Sequence, residues 1–436
     1  MEEVGHNSLD YADVRNPSLS SKQYRVKIMP ENGSSFKGGQ VVYLSLPSGL
    51  PATYVDFRSN VYLKFTINVA EGSLQLDKAG ALSWIRRMAI ESTGTLLNDI
   101  QGYNVLLSAV NDLQVNPLTK MNQLSITSGN GQVLGSVLPG VDTYTFCCPL
   151  PLNVFSLAQR AIPLFSNDKI TLRLTLDDAV KWGKWGADTN PALASIENIE
   201  LTCDFVELDT QAQNMINQSV GGVYNIMTTG IQNFQTNIGV NTSPTNINRQ
   251  IGISVASLDR MFFIFRDADN TEYNKFNLGA RVNPKLTSAQ LFINNLAIPQ
   301  RPLRGSLNNN AEFYTETLIA ENALHSVDFA NSINCIGTTI LTNGGTGSSS
   351  PYNFETNKDV NSASTCGSFI VGLNLSTLTH GEPELFGGMN TISSNVQVRL
   401  EVQNAHAVLM DVFSYYTQLI TLNSGAGGMN VYQTSF

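Results

Sequence analysis

Residues 82–115 read LSWIRRMAIESTGTLLNDIQGYNVLLSAVNDLQV, and their periodicity changes part-way. Trp84, Arg86, Met88 and Ile90 fall on one face, and Ser83, Ile85, Arg87, Ala89 and Glu91 on the other, which is the period of a strand. Ser92-Thr93-Gly94 breaks that run. Asn98 or Asp99 can cap the free N–H groups of a first helical turn. Ile100, Tyr103, Leu106, Leu107, Val110 and Leu113 then follow at helical spacing until Pro117. The stretch predicts a strand, a glycine turn and one good helix, set in a chain that otherwise reads as strands.

Working outward, residues 1–37 are polar, contain Asn16-Pro17 and Asn32-Gly33, and read as an extended arm, either disordered or ordered against a neighbour. From Gly38 the texture changes: Gln40 to Leu46 and Val55 to Val69 alternate, with a proline turn between them. Beyond the opening stretch, Ser128-Gly129-Asn130-Gly131 marks a hairpin, Val141 to Cys148 a strand, and Leu150 to Leu164 an apolar segment with room for a short helix. Ile170 to Leu176 alternates without fault, a loop bearing Trp182 and Trp185 follows, and Ile199 to Leu208 is a last strand. Residues 209–222, rich in Gln and Asn and ending Gly221-Gly222, read as a linker.

The second half repeats this order with different residues. Val223 to Ile231, Ile251 to Val255, Met261 to Phe265 and Leu286 to Ile293 read as strands. Asn294-Asn295 turns, and Phe313, Thr317, Ala320 and Leu324 allow a helix over Glu312 to Val327. A Gly/Ser-rich stretch at 344–351 is a surface loop, and Phe369 to Leu375 is a strand. Val396 to Val402 then alternates as Ile170 to Leu176 does, each with a central arginine, Arg399 and Arg173. Val408 to Leu422 closes the half. A period of this length points to two copies of one large β domain rather than to short solenoid repeats.

A chain of 436 residues exceeds one ordinary core, which agrees with two domains. Charged residues are 14% of the chain, against roughly 25% in average soluble domains. Asn, Ser, Thr, Gln and Gly replace them, a composition that suits turn-rich β structure and equally suits faces covered by other copies. The net charge is −9, with no run of Lys or Arg at either end. Packing of nucleic acid is therefore not expected of this chain, because counterion release needs clustered positive charge. Cys147, Cys148, Cys203, Cys335 and Cys366 are odd in number and irregular in spacing, and are expected to be reduced core thiols. Met1-Glu2-Glu3-Val4 begins no apolar leader, so synthesis in cytosol or nucleus is the expectation.

Several segments resemble parts of a known family. They are FKGGQVVYLSL (36–46), the strand, turn and helix of 81–113 with its Tyr103-Asn104 start, and LPL (150–152) through IPL (162–164) to Leu176. In the second half they are AQLFINNLAIP (289–299), FIVGLNL (369–375) and GGMN (387–390). In order and texture these resemble the double jelly-roll major capsid proteins of icosahedral DNA viruses, the lineage of adenovirus hexon and of tectivirus, virophage and polinton-like capsid proteins. The resemblance implies an all-β chain of two consecutive eight-stranded jelly-roll sandwiches, with short helices inserted between strands. Its parts are an arm (1–37), a first jelly roll (38–208), a linker (209–222) and a second jelly roll (223–436). It implies a homotrimer forming a pseudo-hexagonal capsomer, tiled with neighbouring capsomers into a shell around a DNA genome, with strands upright, loops outside and termini inward. Minor capsid or penton proteins, and an internal membrane or core protein, are the further partners implied. The protein would be made in host cytoplasm, assembled in cytoplasm or nucleus, and reside in the virion.

Motifs of catalysis are not found. The sequence has no Gly-x-Ser-x-Gly elbow, Walker loop, dinucleotide glycine cluster or His-Glu-x-x-His. His6, His325, His380 and His406 are scattered without metal spacing, and neither catalytic residues nor a cofactor is expected. Asp267, Asp269, Asn270 and Glu272 cluster oxygen ligands that would suit calcium. The cluster lacks the glycine and distal glutamate of an EF-hand, and a solvated hairpin loop is the plainer reading. Asp177-Asp178 reads as a strand end. Trp182 and Trp185 would suit stacking on a sugar, or anchoring a loop over the sandwich end, and the second is preferred. Two competing classes stand beside the capsid reading: a carbohydrate-binding spike, fibre or lectin of two β-sandwiches, and a β-sandwich hydrolase, which would need a carboxylate pair. From the acidic balance, purified protein is expected to give no tight, salt-sensitive complex with double-stranded DNA in a low-salt gel shift; such a complex would place genome contact on this chain.

Overall fold

The computed structural model describes residues 21–58, 61–77, 79–115, 127, 137–139, 142–152, 154–156, 158, 160–165, 169–186, 190–268, 273, 278, 281–305, 310–321, 369–376, 387–404, 407–423 and 429–432. Its first half carries β1 (Ser21–Ile28), β2 (Ser35–Phe36), β3 (Val41–Ser45), β4 (Thr53–Asp56), β5 (Tyr62–Val69), β6 (Ser73–Leu76), β7 (Ile85–Ser92), β8 (Thr95–Gln101), helix α1 (Tyr103–Leu113), β9 (Val137–Pro139), β10 (Asp142–Pro149), β11 (Ile162–Pro163), β12 (Ile170–Leu176), β13 (Gly183–Trp185) and β14 (Ser195–Leu208). Helix α2 (Thr210–Val220) leads to β15 (Val223–Ile238), β16 (Asn241–Ile251), β17 (Leu258–Asp267), β18 (Ser288–Ile293), β19 (Leu296–Arg304), helix α3 (Ala311–Ala320), β20 (Ile370–Asn374), β21 (Val396–Asn404), β22 (Val408–Asn423) and β23 (Met429–Tyr432).

Pairing separates these strands into two sandwiches, and among the described residues no strand pairs across α2. In the second half the sheets run β15-β22-β17-β20 and β16-β21-β18-β19. Numbered within the half, that is first-eighth-third-sixth and second-seventh-fourth-fifth, the order of a jelly roll. The first half has the same order. Strands β1 and β2 share one edge of β14, β4 and β5 share the other, and β10 flanks β5; the opposing sheet is β3-β12-β7-β8. Among the described residues a small third sheet, β13-β6-β9, is added to the first barrel alone.

Alternation explains the placing of the core. Ile170, Leu172, Leu174 and Leu176 of β12 are buried while the residues between them are half-exposed. At roughly 1.5–3 kcal/mol per buried aliphatic side chain, a one-residue slip would forfeit the whole set. Val396, Val398, Leu400 and Val402 do the same in β21, the matching seventh strand. Arg173 and Arg399 sit at matching outward positions, opposite Ala89 of β7 and Gln290 of β18.

The correspondence reaches the hairpin tips. Thr93 (φ 41°) and Asn294 (φ 54°) hold the left-handed turn between the fourth and fifth strands of their barrels. The Thr93 amide donates to the Lys169 carbonyl at 3.2 Å, and the Lys169 amide donates back to Thr93 Oγ1 at 3.1 Å. Asn294 and Asn395 repeat this exchange at 2.8 and 2.9 Å. Both α1 and α3 follow the fifth strand and return beside the sixth. Tyr103 of α1 donates its hydroxyl to the Pro151 carbonyl just beyond β10, and Thr317 of α3 accepts the Gly372 amide of β20.

Open sheet edges are handled differently. Pro299 and Pro302 lie in the edge strand β19 and Pro244 in the edge strand β16, where a residue without an amide proton costs no internal pairing. Strand β1, by contrast, is bound to β14 by charge as well as backbone: Arg25 meets Asp204 at 2.9 Å and Lys27 meets Glu200 at 3.2 Å.

Several local expectations need correction, among them the strand read over Ile251 to Val255, of which only Ile251 lies in a strand, the end of β16. The helix begins at Tyr103 rather than at Asn98 or Asp99, because residues 95–101 complete a hairpin with β7 and left-handed Gly102 (φ 64°) starts the helix. Residues 21–28, read as arm, form β1; complementary charges on β14 supply the reason. The linker is helical, capped by Asp209 and ended by left-handed Gly221. Most of residues 232–250, too polar to be read as strand, lie in β15 and β16, with a turn at 239–240 and an irregularity between Asn241 and Thr245. The expected hairpin at 128–131, the Gly/Ser loop at 344–351, Leu324 and Pro117 lie outside the described residues.

Gly372 fixes where α3 can sit. A Cβ there would meet Phe262 Cε1 at 2.9 Å and both Ala320 Cβ and Thr317 Cα at 3.1 Å. Gly372→Val is therefore expected to lower stability by about 1–3 kcal/mol, read from urea melts. An unchanged midpoint would show that α3 does not press on β20.

Candidate assembly interface

The two barrels meet through α1, and the local sequence explains how. Tyr103, Leu106, Leu107 and Leu113 bury the apolar side of the helix in the first barrel. Asn104, Ser108 and Asp112 recur every fourth residue and form a polar line along another side, and all three are buried. Asn104 anchors the start of the helix: its Nδ2 donates to the Ser83 carbonyl at 3.1 Å and to Asp177 Oδ2 at 2.9 Å. Ser108 and Asp112 turn to the second barrel. Arg281 Nη1 donates to Ser108 Oγ at 3.2 Å, and Arg281 Nη2 donates to the Asp112 carboxylate.

That ion pair is withdrawn from water, with side-chain exposures of 0% for Arg281 and 4% for Asp112. Either charge alone in that setting would carry an uncompensated desolvation cost of several kcal/mol. Around it the contacts stay polar. Gln418 Nε2 donates to the Leu97 carbonyl at 3.2 Å, Gln114 Nε2 to Glu321 Oε2 at 2.8 Å, and the Leu278 amide to buried Asp77 at 2.9 Å. Gly102 allows close approach, since a Cβ there would lie 3.3 Å from Asn233 Nδ2 and 3.7 Å from Phe413. Beside the α2 connection, the Tyr54 hydroxyl donates to Gln213 at 2.8 Å, Gln213 donates to the Tyr224 hydroxyl at 3.1 Å, and Phe165 packs on Tyr224 with ring centres 5.1 Å apart. Burial pushes the Tyr54 phenol above its ordinary value.

The other residues singled out in the sequence have structural places. Trp182 and Trp185 are buried, their indole N–H groups bound to the carbonyls of Asp177 at 3.1 Å and Ala179 at 2.8 Å. They anchor the sandwich end and offer no stacking platform. Asp177 is a buried junction of α1 and β12, and Asp178 caps the turn after it. Cys148 and Cys203 are buried, and burial pushes the Cys203 thiol up to about 12. Cys147 is exposed, contrary to expectation, because neighbouring strand residues face opposite sides. Cys335, Cys366, all four histidines and Asp269, Asn270 and Glu272 lie outside the described residues, and Asp267 ends β17. Among the described residues no group of three or more His, Cys, Asp or Glu could hold a metal ion, and no helix is long and apolar enough to cross a membrane. An opening of about 420 Å³ beside α1 is walled by Leu82, Leu107, Val110, Cys148 and Pro151, and the cation at it, Arg58, is held by Asp56 at 2.9 Å.

Two jelly rolls in tandem, fastened side by side through the helix after the fifth strand, can be compared with solved structures as one body. VP54 of PBCV-1, a crystal structure fitted into a cryo-EM reconstruction of the virophage Sputnik, matches with a TM-score of 0.65, over 98% of this chain and 100% of its own. The chain has the double jelly-roll fold. The major capsid protein of Faustovirus matches with a TM-score of 0.58 over 93% of this chain and 91% of its own, and that of mavirus with 0.52 over 99% and 95%. Sequence identities are 12%, 10% and 10% respectively, so the likeness is one of fold. No protein-family model matches the sequence, and no curated protein matches it.

Removing one side of the buried pair isolates its role. Arg281→Ala or Asp112→Ala is expected to cost about 3–5 kcal/mol in chemical denaturation, whereas Arg281→Met combined with Asp112→Leu should recover most of the loss. Single-variant costs near zero would mean that water reaches the pair.

Proposed function

We propose that this chain is the principal building block of an icosahedral virus shell, a major capsid protein that trimerises into pseudo-hexagonal capsomers around a DNA genome. The observation that carries this reading is the agreement of the whole double jelly roll with proteins of viral capsids, end to end on both chains. Physical features support it. The strands from β1 to β14 and from β15 to β23 act as two barrels joined by α2, and the buried polar contacts through α1 hold them as one block. A shell needs such a block, because a subunit that flexed between its barrels would spend assembly energy on ordering itself. The role is structural rather than catalytic, and its partners are other copies, with minor capsid or penton proteins and an internal membrane or core protein beside them. The virion is its place, after synthesis in host cytoplasm and assembly in cytoplasm or nucleus. The sugar-binding alternative loses its best candidates, since Trp182 and Trp185 are buried.

Expression of the chain alone, with light scattering after size exclusion and negative-stain electron microscopy, tests the proposal. The expected outcome is a particle of three chains with a hexagonal outline, or shells of such particles. A stable monomer with measurable glycan affinity would reverse the choice.

A further inference from the structure

The helix that follows the fifth strand is seated differently in the two barrels. In the second barrel α3 lies directly on the sixth strand: Thr317 Oγ1 accepts the Gly372 amide at 2.8 Å, and a Cβ at Gly372 would meet Thr317 and Ala320 at 3.1 Å. In the first barrel the start of α1 is tied to the segment after the sixth strand, where Tyr103 donates to the Pro151 carbonyl at 2.8 Å. Leu107 and Val110 follow Tyr103 at four and seven residues and so continue its stripe of the helix. Along that stripe helix and strand part. The opening of about 420 Å³ is lined by Leu107, Val110 and Val115 from the helix side and by Cys148 and Leu150 from β10 and its end.

The chemistry of the lining is uneven. Phe57, Val61 and Leu82 extend the hydrocarbon wall, and burial pushes the Cys148 thiol above its ordinary value. Among the described residues lining the opening, Arg58 alone is charged, and its side chain is 45% exposed. Asp56 holds Arg58 Nε and Nη2 at 2.9 Å each, which fixes the guanidinium where the opening meets solvent. An apolar wall that faces nothing forfeits its dispersion contacts, and water does not replace them. The volume lies within the range of roughly 300–1,000 Å³ usual for small-molecule sites, where a few polar groups orient an otherwise apolar ligand. Here the orienting group is a cation, which selects an anionic head.

We propose that this opening binds a free fatty acid, its hydrocarbon chain lying between α1 and the end of β10 and its carboxylate beside Arg58. At on the order of 30 Å³ for each methylene, comparable to the share of one water in the liquid, the opening has room for roughly a dozen carbons. That is one chain of moderate length, which separates a free acid from a phospholipid with two. The site belongs to the first barrel by itself and does not depend on the capsid reading.

The test is calorimetric titration of the delipidated full-length chain with octanoate, decanoate and dodecanoate, and with decanol and decyltrimethylammonium, all below their micelle concentrations. One acid should bind per chain, with affinity rising about fourfold for each added methylene. Decanoate should bind about tenfold more tightly than decanol, a difference of the size expected for a charge-assisted hydrogen bond, and the ammonium compound more weakly still. This series needs no variant, so it decides the matter even where a substitution disturbs folding. Two variants then locate the site. Val110→Phe, which fills the opening from the helix, should lose binding of all three acids with circular dichroism unchanged, and Arg58→Gln should bring decanoate down to the level of decanol. Absence of saturable binding to the wild type, equal affinity for the ammonium compound, or undiminished binding by folded Val110→Phe overturns the proposal. Binding to phosphatidylglycerol vesicles without binding to the soluble acids overturns it in favour of a membrane surface.

Discussion

A guanidinium shut away from water must find a counter-charge nearby, and Arg281 of the second barrel finds Asp112 of the first. The relative placing of the two barrels is governed by that need, because any sliding between them parts the charges in a setting where neither can be hydrated. Hydrophobic contact alone would be more forgiving, since apolar faces can re-pack in several registers at small cost. The surrounding contacts, Gln418 on Leu97 and Gln114 on Glu321, add direction of the same kind. The junction is thus selective more than it is adhesive, and it fixes the angle between the two barrels.

Much of the architecture was legible because sheets with one face in a core write themselves as alternation. Ile170 to Leu176 and Val396 to Val402 stated both their strand character and their equivalence, and the structure gives them the same seventh place. Where residues are polar on both faces, as from Gln232 to Gln250, the signal vanished although the strands did not. There the long neighbours β22 and β21 supply the backbone partners, a non-local cause that a local pattern cannot carry. The helix after β8 was foreseen but begun too early, since Asn98 and Asp99 look like caps until their pairing with Ile90 and Ala89 is known. The polar line Asn104, Ser108 and Asp112 was present in the same stretch and was the available sign of the junction. It stayed unread because polar residues on a helix ordinarily face solvent.

The repeated topology also shows which features the two barrels share despite different sequences. Thr93 and Asn294 have different side chains, yet each holds a left-handed turn and offers an oxygen to the amide that opens the seventh strand. What the two barrels share is an acceptor at a set point, a looser demand than a residue identity.

Prolines in the outer strands have a consequence for growth. A sheet edge with free amides can be lengthened by any extended chain, and repetition of that event produces fibrils without an end point. Pro299, Pro302 and Pro244 interrupt the donor row on both edges of the second barrel's β16-β21-β18-β19 sheet, so a newcomer cannot zip along the backbone there. It has to seat itself by the shape of side chains, which accept one orientation. The same substitution of ring for amide that looks like a weakness in a strand thereby works against open-ended growth along these edges.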